Sequence, residues 1–320
     1  MASKERTEGQ WSGSGRLRGG RRGLRIILTS MRFLGLRLTY ILAVPVAIFC
    51  TLVSPDVPAT MAYHRRVYGA MSVWKRWWRV LRHFYEFGLA IVDRLAVLGG
   101  MSNKFSFEFE GEHHLREALA EGKGLLLLTG HVGNWEAAGH LLSRLDVPVN
   151  VTGFDREPPE VRELLNKSSR ASFRLLPLTG SASDTIPLVA ALKRGEVVAM
   201  LGDRAYGSPS VRVPFLDAPA SFPVGAYVMA AVAGAPLVHV FNLREPGPHY
   251  HCFGFPPQRP QLLPRSQRDA HLHECASRFA RDMESVLRRA PLQWFNFFPF
   301  WEETAPASTP EPSPELCATR

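Results

Sequence analysis

The sequence predicts an α/β domain with a mixed, largely parallel sheet flanked by helices, preceded by a membrane-associated helical segment. Three observations lead to this prediction. Short apolar runs such as 124–129 and 196–201 alternate along the chain with stretches of helical spacing. Uniformly apolar runs of this length are typical of strands that are covered on both faces. Near the N-terminus, one uncharged apolar run lies between two basic stretches.

Runs that alternate or are uniformly apolar predict strands, and runs with a period near 3.6 predict helices. Glycines and prolines bound most of these runs, and Asn134 is a plausible N-cap. The predicted strands are 105–111, 124–129, 148–153, 175–178, 196–201, 236–243 and 249–255. The predicted helices are 112–121, 134–145, 158–172, 185–194, 223–233 and 268–289.

This pattern divides the chain into four regions. Residues 1–25 read as a disordered basic tail, and residues 26–100 as a membrane-associated helical region. Residues 101–303 carry the alternating strands and helices and form the predicted catalytic domain. The segment 304–320 is rich in Pro, Ser, Thr and Glu and reads as a second disordered tail.

The excess positive charge is confined to the first quarter of the chain. Residues 1–82 hold fifteen Lys/Arg and three Asp/Glu, a net charge of +12. The other 238 residues hold twenty-three Lys/Arg and twenty-six Asp/Glu, a net charge of −3. The body is therefore slightly acidic, and no nucleic-acid partner is predicted. Four scattered cysteines without a C-x-x-C pair exclude a disulfide scaffold and suit a reducing compartment.

The N-terminal region is predicted to bind a membrane. Leu38–Val53 contains no charge, but a perpendicular span needs about 20 apolar residues. The run spans if it extends back to Phe33 and Arg37 snorkels; otherwise it dips into one leaflet between two basic flanks. Tryptophans and tyrosines mixed with cations over 62–82 predict an interfacial helix, with a solvated basic helix as the alternative. A signal peptide is disfavoured because no clear cleavage site follows before Pro55.

One motif carries chemistry, the stretch from Gly130 to Glu136. It places His131 between the end of a buried strand and the start of a helix, where open α/β sheets bind ligands. Glu136 falls in the first helical turn and can hold one imidazole nitrogen, leaving the other as a general base. With no serine beside it, the attacking hydroxyl would come from the substrate, which predicts acyl transfer to an alcohol. The alternative is a turn histidine held for structural reasons alone.

Polar residues after neighbouring strands complete the predicted site. Asp203 and Arg204 follow strand 196–201 at the same sheet edge as His131 and are expected to bind substrate; the alternative is a surface ion pair. Arg156 follows strand 148–153 and either meets a phosphate or is a solvated loop arginine. Asn134, inside the motif, is the fourth predicted substrate contact.

Other candidate groups carry less chemistry. No set of three or four convergent ligands is evident, so no metal site is predicted. No Walker A, G-x-G-x-x-G or G-x-S-x-G motif occurs, so no cofactor is predicted. His239 reads as a core histidine. The aromatic run Trp294–Trp301 is either core or an interfacial belt, and we favour partial membrane contact.

The stretch HVGNWE, His131 to Glu136, resembles the H-x₄-D/E motif of the lysophospholipid acyltransferase superfamily. It is most similar to the branch with the bacterial lipid A lauroyl/myristoyl and phosphatidylinositol mannoside acyltransferases. Leu201–Arg204, the block 211–225 and QWFNFFPFW at 293–301 resemble further family segments in the same order. The resemblance covers about residues 30–302.

The resemblance implies a glycerolipid acyltransferase-like fold and an acyl donor that is acyl carrier protein or acyl-CoA. The acceptor would be a lipid or glycolipid, on the cytoplasmic face of a bacterial inner membrane. His131 would deprotonate the acceptor hydroxyl, Glu136 would orient His131, and Asp203 and Arg204 would position donor or acceptor. A non-catalytic lipid-binding protein and a lipid or thioester hydrolase remain the alternatives.

Overall fold

The structure is a computed structural model of the 320-residue chain. It describes residues 20–135, 137, 145–154, 173–178, 181–205 and 208–301. The predicted helix 158–172 lies outside these residues, as does most of the predicted helix 134–145. The predicted tail 304–320 is also outside them. Residues 20–25, predicted as part of a disordered tail, belong to the first helix.

A seven-stranded sheet forms the centre of the fold. Its strands are β1 Ser106–Glu110, β2 Leu125–Thr129, β3 Val149–Phe154, β4 Arg174–Leu178, β5 Val197–Leu201, β8 Leu237–Glu245 and β9 His249–Gly254. Their order in the sheet is β1-β9-β8-β2-β5-β3-β4, and every neighbouring pair is parallel except β8 and β9. The prediction of a mixed, largely parallel sheet is confirmed. Central β2 is buried along its whole length, which explains its uninterrupted leucines.

Four helices of the body have described bounds. They are α4 Glu112–Ala120, α5 Thr185–Lys193, α6 Gly225–Ala233 and α7 Arg265–Arg289. Leucines, alanines and phenylalanines on α5, α6 and α7 share one buried cluster with strands β2, β5 and β8. Helix α4 packs with β2, β3 and β5 in another buried cluster. The sheet is therefore covered by helices on both faces, as its apolar strands require.

The sequence did not predict a two-stranded hairpin beside the main sheet. It consists of β6 Ser210–Phe215 and β7 Ala218–Pro223, which pair antiparallel. The two turn residues, Leu216 and Asp217, have φ of 49° and 60°, a conformation that normally favours Gly or Asn. Glu284 stabilises the turn by accepting a hydrogen bond from the Leu216 N–H at 3.0 Å. The turn therefore depends on a contact with a distant residue, and the sequence has no glycine at the turn that would have predicted it.

Three α-helices precede the sheet in the part of the chain that the structure describes. They are α1 Gly20–Val53, α2 Val57–Tyr68 and α3 Val73–Leu98. The single interfacial helix predicted over 62–82 is wrong, because Gly69, with a φ of 70°, separates α2 from α3. The aromatic residues of this stretch also differ in role. Tyr63 is buried in the main core, whereas Trp74 and Trp78 on α3 are 84% and 60% exposed.

Helix α1 is kinked at Gly35, where φ is 76°. The eighteen residues from 36 to 53 that follow the kink measure about 27 Å, close to the thickness of a bilayer core. Ile26–Val53 is the one helix among the described residues that is long and apolar enough to cross a membrane. Its mean hydropathy is 2.0, and 17% of the eighteen-residue window that meets this criterion is buried. Its outer face carries exposed apolar side chains, including Ile41 and Leu52.

Helices α1 and α3 pack antiparallel through a close contact and a buried polar network. A Cβ on Gly88 would lie 3.5 Å from the Cβ of Ala43, so the backbones approach closely. Asp93, fully buried on α3, accepts hydrogen bonds from Tyr40 at 2.5 Å, Arg244 at 2.8 Å and Tyr250 at 2.6 Å. One buried carboxylate therefore joins α1 and α3 to the sheet, since burying it without partners would be costly.

The first part of the C-terminal aromatic run belongs to the core, whereas Phe298, Phe300 and Trp301 are partly exposed. Trp294, Phe295 and Phe297 are 1%, 9% and 7% exposed, so the membrane contact that we favoured for this segment is wrong for these three side chains. Trp294 packs edge-on against Phe215 and Tyr63. The core role predicted for His239 is confirmed: the ring is 1% exposed and bonds to Asp282 and Gln258.

The helices before residue 100 pack directly against the predicted catalytic domain that begins at residue 101. Val92, Leu95 and Ala96 of α3 share a buried cluster with Phe105 and Tyr250 of the body. Tyr63 of α2 also donates a hydrogen bond to the Pro291 carbonyl at 2.7 Å. The division into a membrane region and a catalytic domain stays a prediction about function, and the two regions share one core.

Candidate active site

The motif turn follows the end of β2, and its backbone groups form hydrogen bonds to two other segments. The Gly133 N–H donates to the Gln293 carbonyl at 2.7 Å, and the Phe295 N–H donates to the His131 carbonyl at 2.8 Å. The Asn134 N–H donates to the Asn242 carbonyl at 2.9 Å. The turn that carries His131 is therefore clamped between the C-terminal aromatic run and β8.

Glycine is required at position 133 for two separate reasons. Its φ is 63°, in the left-handed region, and a Cβ there would overlap the carbonyl oxygen of Asn242. Gly130 serves a different purpose, since a Cβ on it would lie 3.3 Å from the Asp203 side chain. The two glycines thus bring the turn against β8 and against Asp203.

His131 and Asp203 form a hydrogen-bonded pair. His131 Nδ1 lies 2.8 Å from Asp203 Oδ1, and the His131 backbone N–H donates to Asp203 Oδ2 at 3.0 Å. The Trp294 indole N–H donates to the same Oδ2 at 3.2 Å. Asp203 is fully buried, whereas the His131 side chain is 24% exposed. The carboxylate thus lies behind the imidazole, whose other side reaches solvent.

The electrostatics of the pair fix its protonation. Burial opposes ionisation of Asp203, but His131 and Arg204 outweigh it and hold the pKa of the carboxyl well below its usual range. Burial and the charge of Arg204 lower the pKa of His131, against the opposing effect of Asp203. At neutral pH the aspartate is ionised and the histidine is neutral. The carboxylate only accepts, so the proton of the ring is on Nδ1 and Nε2 has a free lone pair.

The Asn134 side chain is buried and bonds within the protein. It is 5% exposed, and Oδ1 accepts the Ala137 N–H at 3.2 Å, which confirms the N-cap. Nδ2 donates to the Ala90 carbonyl at 3.0 Å and to the Tyr250 hydroxyl at 3.2 Å. The substrate contact predicted for Asn134 stays a prediction, and the bonds that the structure gives to its amide all lie within the protein.

The other predicted residues fall into two groups. Arg204 lies beside the pair, as expected: it donates to the Phe295 carbonyl at 3.1 Å, and its guanidinium is 5.1 Å from the Phe298 ring centroid. Asp203 lies at the expected edge, but its carboxylate bonds to His131 and Trp294 and is closed to solvent. Glu136 and Arg156 lie outside the described residues.

Sequence reasoning missed Trp294 as a member of the site. Its indole contacts Asp203 across ninety-one positions of sequence, so no local pattern could reveal the contact. The only signal was the aromatic run 293–301 itself, which was interpreted as core or membrane belt. Among the described residues, no group of three or more His, Cys, Asp or Glu side chains could hold a metal ion.

The fold and the histidine–aspartate pair at its sheet edge define an α/β protein with a potential general base. Residues 69–303 match the family model described as bacterial lipid A biosynthesis acyltransferase. Because this match covers well over half of the chain, the protein belongs to the bacterial lipid A biosynthesis acyltransferase family.

Two curated relatives are phosphatidylinositol mannoside acyltransferases. That of Mycobacterium tuberculosis H37Rv is 28% identical over 130 residues, which is 40% of this chain and 41% of the relative. That of Mycolicibacterium smegmatis is 28% identical over 129 residues, 40% of this chain and 42% of the relative. The chain therefore matches less than half the length of these relatives.

A solved structure is similar over a larger part of the chain. The 1-acyl-sn-glycerophosphate (LPA) acyltransferase PlsC from Thermotoga maritima aligns with 78% of this chain and 98% of its own, at 12% identity and a TM-score of 0.34. A TM-score of this size is too low for the likeness to bear on function.

Replacing Gly133 by alanine should damage the site far more than the same change at a matched glycine. Gly122 has a similar φ of 69° but no neighbour within 4 Å of a Cβ, so Gly122→Ala carries only the conformational strain of about 1–2 kcal/mol. Gly133→Ala adds an overlap with the Asn242 carbonyl, and the turn must shift. Thermal unfolding should show the larger loss at Gly133; equal losses in the two variants would contradict the close approach.

Proposed function

We propose that this protein is a membrane-associated acyltransferase. It moves a fatty acyl chain from acyl carrier protein or acyl-CoA to a hydroxyl of a lipid or glycolipid acceptor, with His131 as the general base. The observation that carries the proposal is the His131–Asp203 pair, because its 2.8 Å bond leaves a basic nitrogen at the sheet edge. Membership of the lipid A biosynthesis acyltransferase family supports the reaction class. The glycolipid named in the mycobacterial relatives supports an acceptor of that kind.

The proposed reaction is a direct transfer. His131 Nε2 takes the proton of the acceptor hydroxyl while the oxygen of that hydroxyl attacks the carbonyl carbon of the donor thioester. The tetrahedral intermediate collapses, the C–S bond breaks, and the imidazolium returns the proton to the departing thiolate. Asp203 stabilises the imidazolium through the Nδ1 hydrogen bond. The substrate supplies the nucleophile, so no acyl-enzyme is formed.

The described cysteines in the body are poor candidates for a covalent alternative. Cys252 and Cys275 are buried, and burial raises the pKa of their thiols to about 12 and about 11. The thiolate is the nucleophilic form of cysteine, so both side chains are unreactive at neutral pH. This supports direct attack by the acceptor hydroxyl.

The proposal assigns the roles of Asp203 and Glu136 differently from the sequence-based prediction. Asp203 is now the residue proposed to orient His131, because it is buried and bonds to Nδ1. Glu136 stays a predicted partner of the histidine. Arg204 has a charged group beside the pair and is proposed to position the donor or the acceptor. Arg156 stays a predicted phosphate contact.

The membrane association rests on two exposed surfaces. Helix α1 presents an apolar outer face, and the first turns of α3 present Trp74 and Trp78 beside Lys75, Arg76 and Arg79. Because α1 and α3 are antiparallel, these tryptophans lie near the C-terminal end of α1. Apolar and cationic groups together suit the headgroup boundary of an anionic bilayer. We propose the cytoplasmic face of a bacterial inner membrane as the location.

Substituting the base should greatly reduce transfer without unfolding the protein. His131→Ala should reduce acyl transfer by about 10²–10⁴-fold, the usual contribution of a positioned general base. Wild-type activity should rise with pH and level off below neutrality, since the pKa of His131 is lowered. Acylated lipid is measured by mass spectrometry with acyl carrier protein or acyl-CoA donors.

The control for this experiment is His113→Ala, which removes an exposed histidine of α4. It should leave the rate unchanged. Release of free fatty acid without acylated lipid would indicate a hydrolase. A His131→Ala protein with wild-type transfer would refute the general-base assignment, and wild-type protein inactive with every donor would support a non-catalytic lipid-binding protein.

Asp203→Asn should cost more activity than Glu136→Gln. The amide introduced at position 203 can present an N–H to the ring, which would force the proton onto Nε2 and remove the base. We expect a loss of roughly 10²–10⁴-fold for Asp203→Asn and a smaller one for Glu136→Gln. Steady-state rates and melting temperatures of both variants are compared. The reverse order would assign the orienting role to Glu136 instead.

Charges on the outer face of α1 should release the protein from membranes. Ile41→Asp with Leu52→Asp places two carboxylates in the apolar segment, where a carboxylate costs at most about 2.5–3.5 kcal/mol, the value at the helix centre. The matched control is Ile186→Asp with Leu262→Asp, which changes two residues of similar exposure on the body. Membrane fractions are compared after a high-salt wash. Equal retention of the two double variants would contradict anchoring by α1.

A further inference from the structure

Trp294 connects the candidate base to the helices that precede the sheet. Its indole N–H bonds to Asp203 Oδ2, and its neighbour Phe295 bonds to the His131 carbonyl. The carbonyl of Trp294 points the other way and lies 2.9 Å from Nε2 of His83 on α3. The other ring nitrogen of His83, Nδ1, lies 3.0 Å from Nε2 of His64 on α2.

The carbonyl fixes every proton in this chain of contacts. A carbonyl oxygen only accepts, so Nε2 of His83 carries the proton and donates to Trp294. Nδ1 of His83 is then unprotonated and accepts from His64, whose proton must be on Nε2. Both rings are 0% exposed and stack at 5.1 Å. The two histidines therefore form a directional pair that ends on the backbone beside the site.

The pair stays neutral under ordinary conditions. Burial, with the charge of Arg79, lowers the pKa of His64 to about 4. Burial, with the neighbouring His64, lowers the pKa of His83 to about 3, against the opposing bond to Trp294. Neither ring gains a proton between pH 5 and 8, so the donor to the Trp294 carbonyl stays the same across that range.

We propose that His83, held by His64, is a positioning residue for the His131–Asp203 pair and acts through Trp294. This rests on the proposed function. His83 holds the Trp294 peptide, the peptide directs the indole N–H, and the indole bonds to Asp203. The Asp203 carboxylate is thereby held in the orientation that places the proton of His131 on Nδ1.

Two variants of His83 separate positioning from packing. In His83→Gln, the amide can both donate to the Trp294 carbonyl and accept from His64, so kcat should stay near wild type. In His83→Leu, the carbonyl loses its donor, and kcat should fall about 10–100-fold, as is usual for a residue that holds a functional side chain in place, with KM changed little. Transfer is assayed on full-length protein in anionic lipid vesicles.

A second readout does not need activity. The titration of His131 is followed by NMR of protein with ¹⁵N-labelled histidine, and the signal is assigned with His131→Asn. When Trp294 no longer bonds to Asp203, the carboxylate charge is less compensated and stabilises the imidazolium more strongly. We therefore expect the pKa of His131 to rise by about half a unit in His83→Leu and to stay unchanged in His83→Gln.

The matched control is His239, another buried histidine with both nitrogens bonded, which has no contact with Trp294. His239→Leu should lower the melting temperature without moving the His131 titration. The proposal is overturned if His83→Leu leaves that titration unchanged, or if both His83 variants lose kcat in step with their melting temperatures. If wild type transfers no acyl group, the proposed function fails, while the NMR titration still decides whether His83 positions the pair.

Discussion

The ionised, fully buried carboxylate of Asp203 is the constraint on which the rest of the site depends. A charge at that depth is tolerated only when its oxygens are bonded, and three donors meet them: the His131 backbone, the His131 ring and the Trp294 indole. The first two come from the turn after β2 and the third from the C-terminal aromatic run. Satisfying one buried charge therefore fixes two distant segments against each other.

The helices before the sheet are joined to the body by the same kind of constraint. Asp93 is buried with three partners, one each from α1, β8 and β9. The His64–His83 pair ends on the Trp294 carbonyl. Polar groups buried across this boundary give it one geometry, because any sliding would leave a charge or a carbonyl unbonded. The apolar face proposed to meet lipid and the candidate base thus belong to one packed unit.

The exposed and the buried aromatic residues show that composition alone does not predict where a side chain lies. Tyr63 and Trp74 both lie in one basic, aromatic stretch, yet Tyr63 is 2% exposed and Trp74 is 84% exposed. The break at Gly69 separates them into two helices with different neighbours. The run Trp294–Trp301 looks equally suited to an interface, but Trp294 packs against Phe215 and Tyr63 inside the core.

The sequence by itself determined the strand–helix alternation, the apolar N-terminal helix and the position of His131 at the end of β2. These follow from local periodicity and from glycines that mark a turn. Only the tertiary structure decided that Asp203 bonds to the His131 ring, that the Trp294 indole bonds to the same carboxylate, and that a hairpin forms around Leu216. Each depends on a partner far along the chain, such as Trp294 or Glu284, and distant partners leave no periodic signal in the sequence.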